Sequence, residues 1–243
     1  MKVVIFAGGY GSRLGSLTSN TPKPLIKING IPIIWHIMKY YSKYGLNDFI
    51  ILGGFKYKVL QNYFTKNKKK FSTNNIDWKI KVVNTGKNTM TGGRLKRIKN
   101  ILSDNEDFCL TYGDGLSDVN LKEQIKFHKK NKKLATILAV HPPARFGLLN
   151  IKKKLAIKFT EKPKNNSQIG WINGGYFILS KKVIDLIKDD QSIWERKPLE
   201  TLAKNKQLSA FKHEGFWKPM DTIRDKMDLE DLIKNKSAPW IKW

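Results

Sequence analysis

The segment Gly8-Gly9-Tyr10-Gly11-Ser12-Arg13-Leu14 puts three glycines and an arginine directly behind a short apolar run. Glycines expose backbone N–H groups that can cradle an anion. Arg13 adds a planar, permanently charged fork suited to a pyrophosphate. Two familiar phosphate loops do not fit. The dinucleotide fingerprint needs a third Gly or Ala where Leu14 stands, and an acidic residue ~20 positions on to hold a ribose. No Asp or Glu precedes Asp48. The NTPase loop needs Gly-Lys-Ser/Thr after its second glycine, and Gly11-Ser12-Arg13 does not supply it. What remains is a phosphate cradle of another kind, or a tight turn with a surface arginine. Pro22-Lys23-Pro24 stands nearby. Prolines on both sides of one lysine lower the entropy cost of aiming it, whether at a ligand or simply in a stiff loop.

The carboxylates are sparse and placed with economy. Asp114 lies in Tyr112-Gly113-Asp114-Gly115, behind a buried run Phe108 to Tyr112. A lone carboxylate at a strand end can hold a hard divalent cation such as Mg²⁺, or close a β-turn. Asp221, in Phe216-Trp217-Lys218-Pro219-Met220-Asp221-Thr222, precedes a helix, so it is a second metal ligand, an N-cap, or both. Glu161-Lys162-Pro163 follows a strand and Asn173-Gly174-Gly175 opens the next; these side chains can meet sugar hydroxyls and a phosphate. His36, His128, His141 and His213 have no ligand spacing and read as structural or surface residues. Cys109 falls inside a buried strand and reads as inert.

The elements that carry these residues alternate. Strands are expected at Lys2 to Ala7, Leu25 to Ile28, Phe49 to Leu52, Trp78 to Val83, Phe108 to Tyr112 and Leu134 to Val140. Helices are expected at Ile33 to Tyr44, Tyr57 to Phe64, Gly93 to Leu102 and Leu121 to Lys130. After Pro142-Pro143 three strand-like runs follow with only loops between them: Phe146 to Ile151, Leu155 to Thr160 and Gly175 to Leu179. Helices return at Lys182 to Ile187 and Trp194 to Asn205, then a strand at Leu208 to Lys212 and a last helix from Thr222. Lys66 to Asn75 is basic, Asn-rich and reads as a surface loop. Alternation predicts an α/β fold: a Rossmann-like, mixed but mostly parallel sheet with helices on both faces. Residues 1–243 read as one domain, with a nucleotide-binding half about 1–118 and a substrate-binding half about 119–243.

Composition narrows the function. The chain has 243 residues, 40% hydrophobic and 11% aromatic, enough for a real core. No apolar run approaches the ~20 residues of a membrane span, and the N-terminal run is too short for a signal peptide. A cytoplasmic protein is expected. The net charge of +26 invites nucleic acid, but only six of the 46 cations are Arg. Base readers lean on Arg, and the lysines here are spread along the chain. No nucleic-acid partner is expected.

The motifs together resemble the sugar-1-phosphate nucleotidylyltransferases. The resemblance rests on Gly-Gly-x-Gly-Ser-Arg-Leu, Pro-Lys-Pro, the Gly-Asp-Gly strand end and Glu-Lys-Pro, and covers nearly the whole chain. Thr89-Met90-Thr91-Gly92-Gly93-Arg94-Leu95-Lys96-Arg97 and Phe216 to Thr222 are similar to the cytidylyl branch of that family. The resemblance implies the nucleotide-diphospho-sugar transferase fold, CTP and glucose 1-phosphate as substrates, Mg²⁺ as cofactor, a homo-oligomer, and a place in the synthesis of nucleotide sugars for cell-surface polysaccharides such as O-antigen. It implies that the backbone of Phe6, Ala7, Gly8, Gly9 and Tyr10 holds the nucleotide, with Gly11, Ser12, Arg13 and Lys23 on the phosphates. Thr89, Arg94 and Gly113 would lie near the nucleotide, and Asp114 and Asp221 would hold Mg²⁺. Lys162 would meet the sugar phosphate, with Gly147, Glu161, Asn173 and Gly174 at the sugar. The family carries a longer segment where this chain has Lys66 to Asn75, a region associated with nucleotide contact and subunit packing. Chemically the set is coherent. A sugar 1-phosphate has a second pKa of ~6 and is largely dianionic at neutral pH, so it attacks without a general base.

Overall fold

The computed structural model describes residues 1–67, 77–104, 106–142, 148–152, 154–160 and 170–243. Strand β1 (Val3–Ala7) is buried along its whole length. Val3, Ile5 and Ala7 enter one apolar cluster, while Val4 and Phe6 enter another. A strand's side chains alternate between faces, so a run of apolar residues without alternation demands cover on both sides. One face is closed by α1 (Ile33–Lys43), whose Ile33, Ile34, Ile37, Met38 and Tyr41 are buried at helical spacing. The opposite face is closed by Leu95, Ile98, Val183, Ile184, Trp194 and Leu202.

The central sheet is completed by β4 (Asp48–Gly53), β5 (Lys79–Asn84), β6 (Phe108–Tyr112), β8 (Ala135–Val140), β11 (Ile172–Leu179) and β12 (Leu208–His213). Its seven strands run in the order β12-β8-β11-β6-β1-β4-β5. All neighbours are parallel except β11, which runs against both β6 and β8. The expected mixed, mostly parallel sheet is therefore the one observed. Its register aligns functional ends: Ala7 pairs with Gly53, Gly53 with Asn84, and Phe6 with Tyr112. Gly8, Gly54, Thr85 and Gly113 thus leave the sheet along one edge. Reversal of β11 brings its beginning, Ile172 to Gly175, to that same edge.

Several boundaries move for local reasons. The run Leu25 to Ile28 divides into a 3₁₀ turn, Lys23–Leu25, and β2 (Lys27–Ile28), which pairs with β3 (Ile31–Pro32) around Asn29-Gly30. Helix α2 spans Tyr57–Lys66. Gly93 to Leu102 becomes α3 (Thr91–Lys96) and a 3₁₀ turn, Lys99–Ile101. Helix α4 (Leu121–Asn131) is capped by Asn120. The expected helix from Trp194 begins only at Lys197, as α5 (Lys197–Lys204), because Pro198 suits a first turn. Residues 188–196 before it form an irregular strap. The run Phe146 to Ile151 appears as β9 (Leu148–Lys152), hairpinned with β10 (Leu155–Thr160). Besides β3, two further strands were not foreseen, β7 (Gly115–Ser117) and β13 (Trp217–Pro219), which pair antiparallel just before α6 (Ile223–Lys234).

Candidate active site

A cavity of about 580 Å³ opens at the sheet edge where β1 and β6 end. Phe6, Ala7, Gly8, Gly9 and Tyr10 line one wall, with Lys23, Gly113 and Asp114 at its floor. Thr89 and Arg94 line the far side. Ligands of open α/β sheets sit at such carboxyl ends. Gly11 adopts the left-handed region (φ 67°) and starts the 3₁₀ turns Ser12–Thr18, in which Arg13 stays exposed. The Tyr10 hydroxyl donates to Asn88 Oδ1 at 3.1 Å across the cavity mouth.

Two carboxylates far apart in sequence converge here. Pairing of β7 with β13 sets Gly115 against Pro219, and Met220 N–H donates to the Asp114 carbonyl at 2.8 Å. Asp221 follows immediately. Its alternative as helix cap is taken by its neighbour: Thr222 accepts from Asp225 N–H, and Asp225 answers in a capping box. The Asp221 carboxylate instead meets Lys23 Nζ at 2.7 Å and Arg13 at 3.1 Å. Lys23 also bridges to Asp114. Burial pulls the Lys23 ammonium down, but the two carboxylates outweigh it and hold its pKa above the ordinary value. Asp114 and Asp221 therefore already share one cation. Two neighbouring carboxylates suit Mg²⁺, which keeps waters and phosphate oxygens as its other ligands. Among the described residues no group of three His, Cys, Asp or Glu side chains forms a fuller metal cage.

Arg94 is placed differently from the other cations. It is buried, and its guanidinium donates to Thr85 Oγ1 at 2.7 Å and to the carbonyls of Gly86 (2.8 Å), Gly8 (3.1 Å), Gly53 (3.3 Å) and Lys87 (3.4 Å). Burial pulls its pKa down. It pins the ends of β1, β4 and β5 together beneath the cavity. A Cβ on Gly8 would stand 2.4 Å from this guanidinium, and one on Gly54 2.2 Å. Both positions need glycine because the arginine fills the side-chain space.

The two glycines after Thr91 serve the strap. A Cβ on Gly92 would stand 2.6 Å from the Ser192 carbonyl oxygen, and one on Gly93 2.5 Å from Asp190 Cα. With no side chains there, Gly93 N–H reaches the Ser192 carbonyl at 3.2 Å and Met90 N–H the Asp190 carbonyl at 2.8 Å. Arg97 clasps Asp190 with two bonds, at 3.0 and 2.5 Å. The Thr-Gly-Gly-Arg-Leu-Lys-Arg stretch is thus a docking platform on one side and a brace on the other.

Asn173 and Gly174 sit where β11 enters the site edge. Asn173 Oδ1 accepts from Gly175 N–H at 2.8 Å, and the Gly174 carbonyl accepts from Trp217 Nε1 at 2.6 Å. Gly147, Glu161 and Lys162 lie outside the described residues, as does most of Lys66 to Asn75. Sequence reasoning passed over Asn88, Thr91, Tyr112 and Gln191, which also line the cavity. Nothing in their local pattern marked them; only the strap's docking brings Gln191 there.

A sheet edge where a glycine loop stands beside two carboxylates suits nucleotidyl transfer, and the chain belongs to the nucleotidyl transferase family, matched over residues 2–230. It is 46% identical to the glucose-1-phosphate cytidylyltransferase of Salmonella typhimurium, with both chains covered in full. It is 32% identical to the mannose-1-phosphate guanyltransferase of Saccharomyces cerevisiae, over 98% of this chain and 66% of that one. The fold is shared with the UDP-glucose pyrophosphorylase of Acinetobacter baumanii: TM-score 0.71 at 16% identity, over 98% of this chain and 95% of the other. Nucleotidyltransferases of this family generally use a divalent metal.

Proposed function

We propose that the chain is a glucose-1-phosphate cytidylyltransferase, converting CTP and α-D-glucose 1-phosphate to CDP-glucose and pyrophosphate. Full-length identity of 46% to the Salmonella enzyme carries the substrate assignment. The convergence of Arg13, Lys23, Asp114 and Asp221 at the cavity supports the chemistry.

A phosphate oxygen of the sugar phosphate forms a bond to the α-phosphorus of CTP. The bond from that phosphorus to the oxygen bridging to the β-phosphate breaks, and its electron pair leaves with pyrophosphate. Nucleophile and leaving group are both anions already, so the protein's task is to align them and cancel repulsion. Backbone N–H groups of Gly8 to Gly11 cradle the phosphates. Arg13 and Lys23 supply charge to the departing pyrophosphate. Mg²⁺, held by Asp114 and Asp221, supplies further charge neutralisation at the phosphates when bound. Thr89 and Gly113 border the nucleotide; Asn173 and Gly174, with Gly147, Glu161 and Lys162, serve the sugar phosphate.

The chain works as a single nucleotidyltransferase domain, its nucleotide half about 1–118 and its sugar half about 119–243. Support comes from one continuous sheet to which both halves contribute strands. It acts in the cytoplasm, without nucleic acid; no described helix is long and apolar enough to cross a membrane. It assembles as a homo-oligomer, a reading supported by the exposed apolar side chains of Leu155 and Ile157 on β10.

The test is pyrophosphate release across a panel of NTPs and hexose 1-phosphates, with and without Mg²⁺. CTP with glucose 1-phosphate is expected to turn over fastest and only with the metal. Faster turnover with dTTP, UTP or GTP would overturn the cytidylyl assignment. Asp114→Asn and Arg13→Ala are each expected to lower turnover by at least about a hundredfold while the circular dichroism spectrum is unchanged.

A further inference from the structure

Glu195 stands on the strap, behind the cavity wall and not in it. Its Oε2 accepts from the Thr91 hydroxyl at 2.6 Å, and its Oε1 accepts from the Tyr112 hydroxyl. The proton direction at Thr91 is determined by its other partner. Thr91 Oγ1 already accepts from Trp194 N–H at 2.9 Å, so its own proton goes to Glu195. The Tyr112 hydroxyl has one proton, and it points to Glu195. The Tyr112 ring lies against Gly175, where a Cβ would stand 2.5 Å from its Cδ2. Asn173 Oδ1 in turn accepts from Gly175 N–H at 2.8 Å.

The result is one connected set: Thr91 and Tyr112 both donate to Glu195, and the Tyr112 ring lies against Gly175, whose N–H donates to Asn173. Thr91 opens α3 on the nucleotide wall, and Tyr112 ends β6 beside Asp114. Asn173 belongs to the edge assigned above to the sugar. We propose that Glu195 is a positioning residue that sets the spacing between the nucleotide wall and the sugar wall, and with it the alignment of the attacking phosphate on the α-phosphorus. The assignment rests on the reaction proposed above. A carboxylate suits the task because it presents two strong acceptors in one plane, and charge-assisted bonds are the shorter and stronger kind. Alignment is where small displacements are expensive: a shift of about 1 Å costs roughly a hundredfold in rate.

The experiment is steady-state kinetics on Glu195→Ala and Glu195→Gln, with the folded fraction measured at the assay temperature. Glu195→Ala is expected to lower kcat per folded molecule by about 10- to 100-fold, with KM for CTP within about threefold of wild type. Glu195→Gln keeps one acceptor and is expected to restore part of that loss. Tyr112→Phe combined with Thr91→Val should be non-additive in kcat with Glu195 present and additive in the Glu195→Ala background. A kcat per folded molecule within about twofold of wild type in Glu195→Ala, or a loss accounted for by unfolding alone, would overturn the inference. Wild-type turnover with an unchanged Glu195→Ala rate defeats only the inference. No wild-type turnover with any substrate pair defeats the reaction and the inference together.

Discussion

Arg94 and Lys23 show how one residue type or charge can take opposite duties. Both line the cavity. Lys23 shares its charge with two carboxylates, whereas Arg94 spends its guanidinium on four carbonyls and one hydroxyl. The fork is what permits this: a planar guanidinium carries five donors in a fixed geometry, whereas an ammonium on a flexible stem has three. Arg94→Lys is therefore not conservative. It is expected to destabilise the protein by about 3 kcal/mol, the scale for losing partners of a buried charge, read as a lower urea midpoint. Turnover should fall with it, because the carbonyls of Gly8 and Gly53 lose their common donor. An unchanged midpoint would show that the loops are held by other contacts.

At the level of elements, the site depends on two features that carry almost no local signal. The β7–β13 pair is three residues on each side, yet it delivers Asp221 to Asp114. The strap 188–196 has no regular structure, yet it delivers Gln191 and Glu195. Strand and helix periods are visible only over longer runs, so neither feature could be read from pattern. The strap's seat, in contrast, was visible as Gly92-Gly93 without being understood. Gly93→Ala pushes a Cβ to 2.5 Å from the Asp190 backbone. It is expected to cost about 1–3 kcal/mol, as overpacking does, and to raise KM for CTP as the strap lifts. Thermal denaturation and the CTP dependence of turnover check this together; normal values in both would show the strap can shift without consequence.

For the whole molecule, the charge of +26 divides into two populations. Arg13 and Lys23 are held at short range against Asp114 and Asp221. Most of the 46 cations act only through their summed field. A field of one sign raises the encounter rate of anionic substrates and is screened over about 8–10 Å at physiological salt. The kcat/KM for both substrates is therefore expected to fall severalfold between about 20 mM and 0.2 M salt, while kcat changes by less than about twofold. A kcat/KM indifferent to salt would assign the lysines no part in capture.

The amino-acid sequence by itself determined most of the central sheet and the glycine loop behind its first strand. Buried runs such as Val3 to Ala7 can only be covered strands, and a glycine loop behind one of them can only lie at the strand's carboxyl end. These are local consequences of side-chain period and backbone sterics. Only the tertiary structure decided which carboxylates share a cation, which arginine braces and which is presented, and that Glu195 joins the two walls. Those outcomes depend on contacts between segments many residues apart. Their energy comes from burial and hydrogen bonding at the closing of the fold, and no single segment contains it.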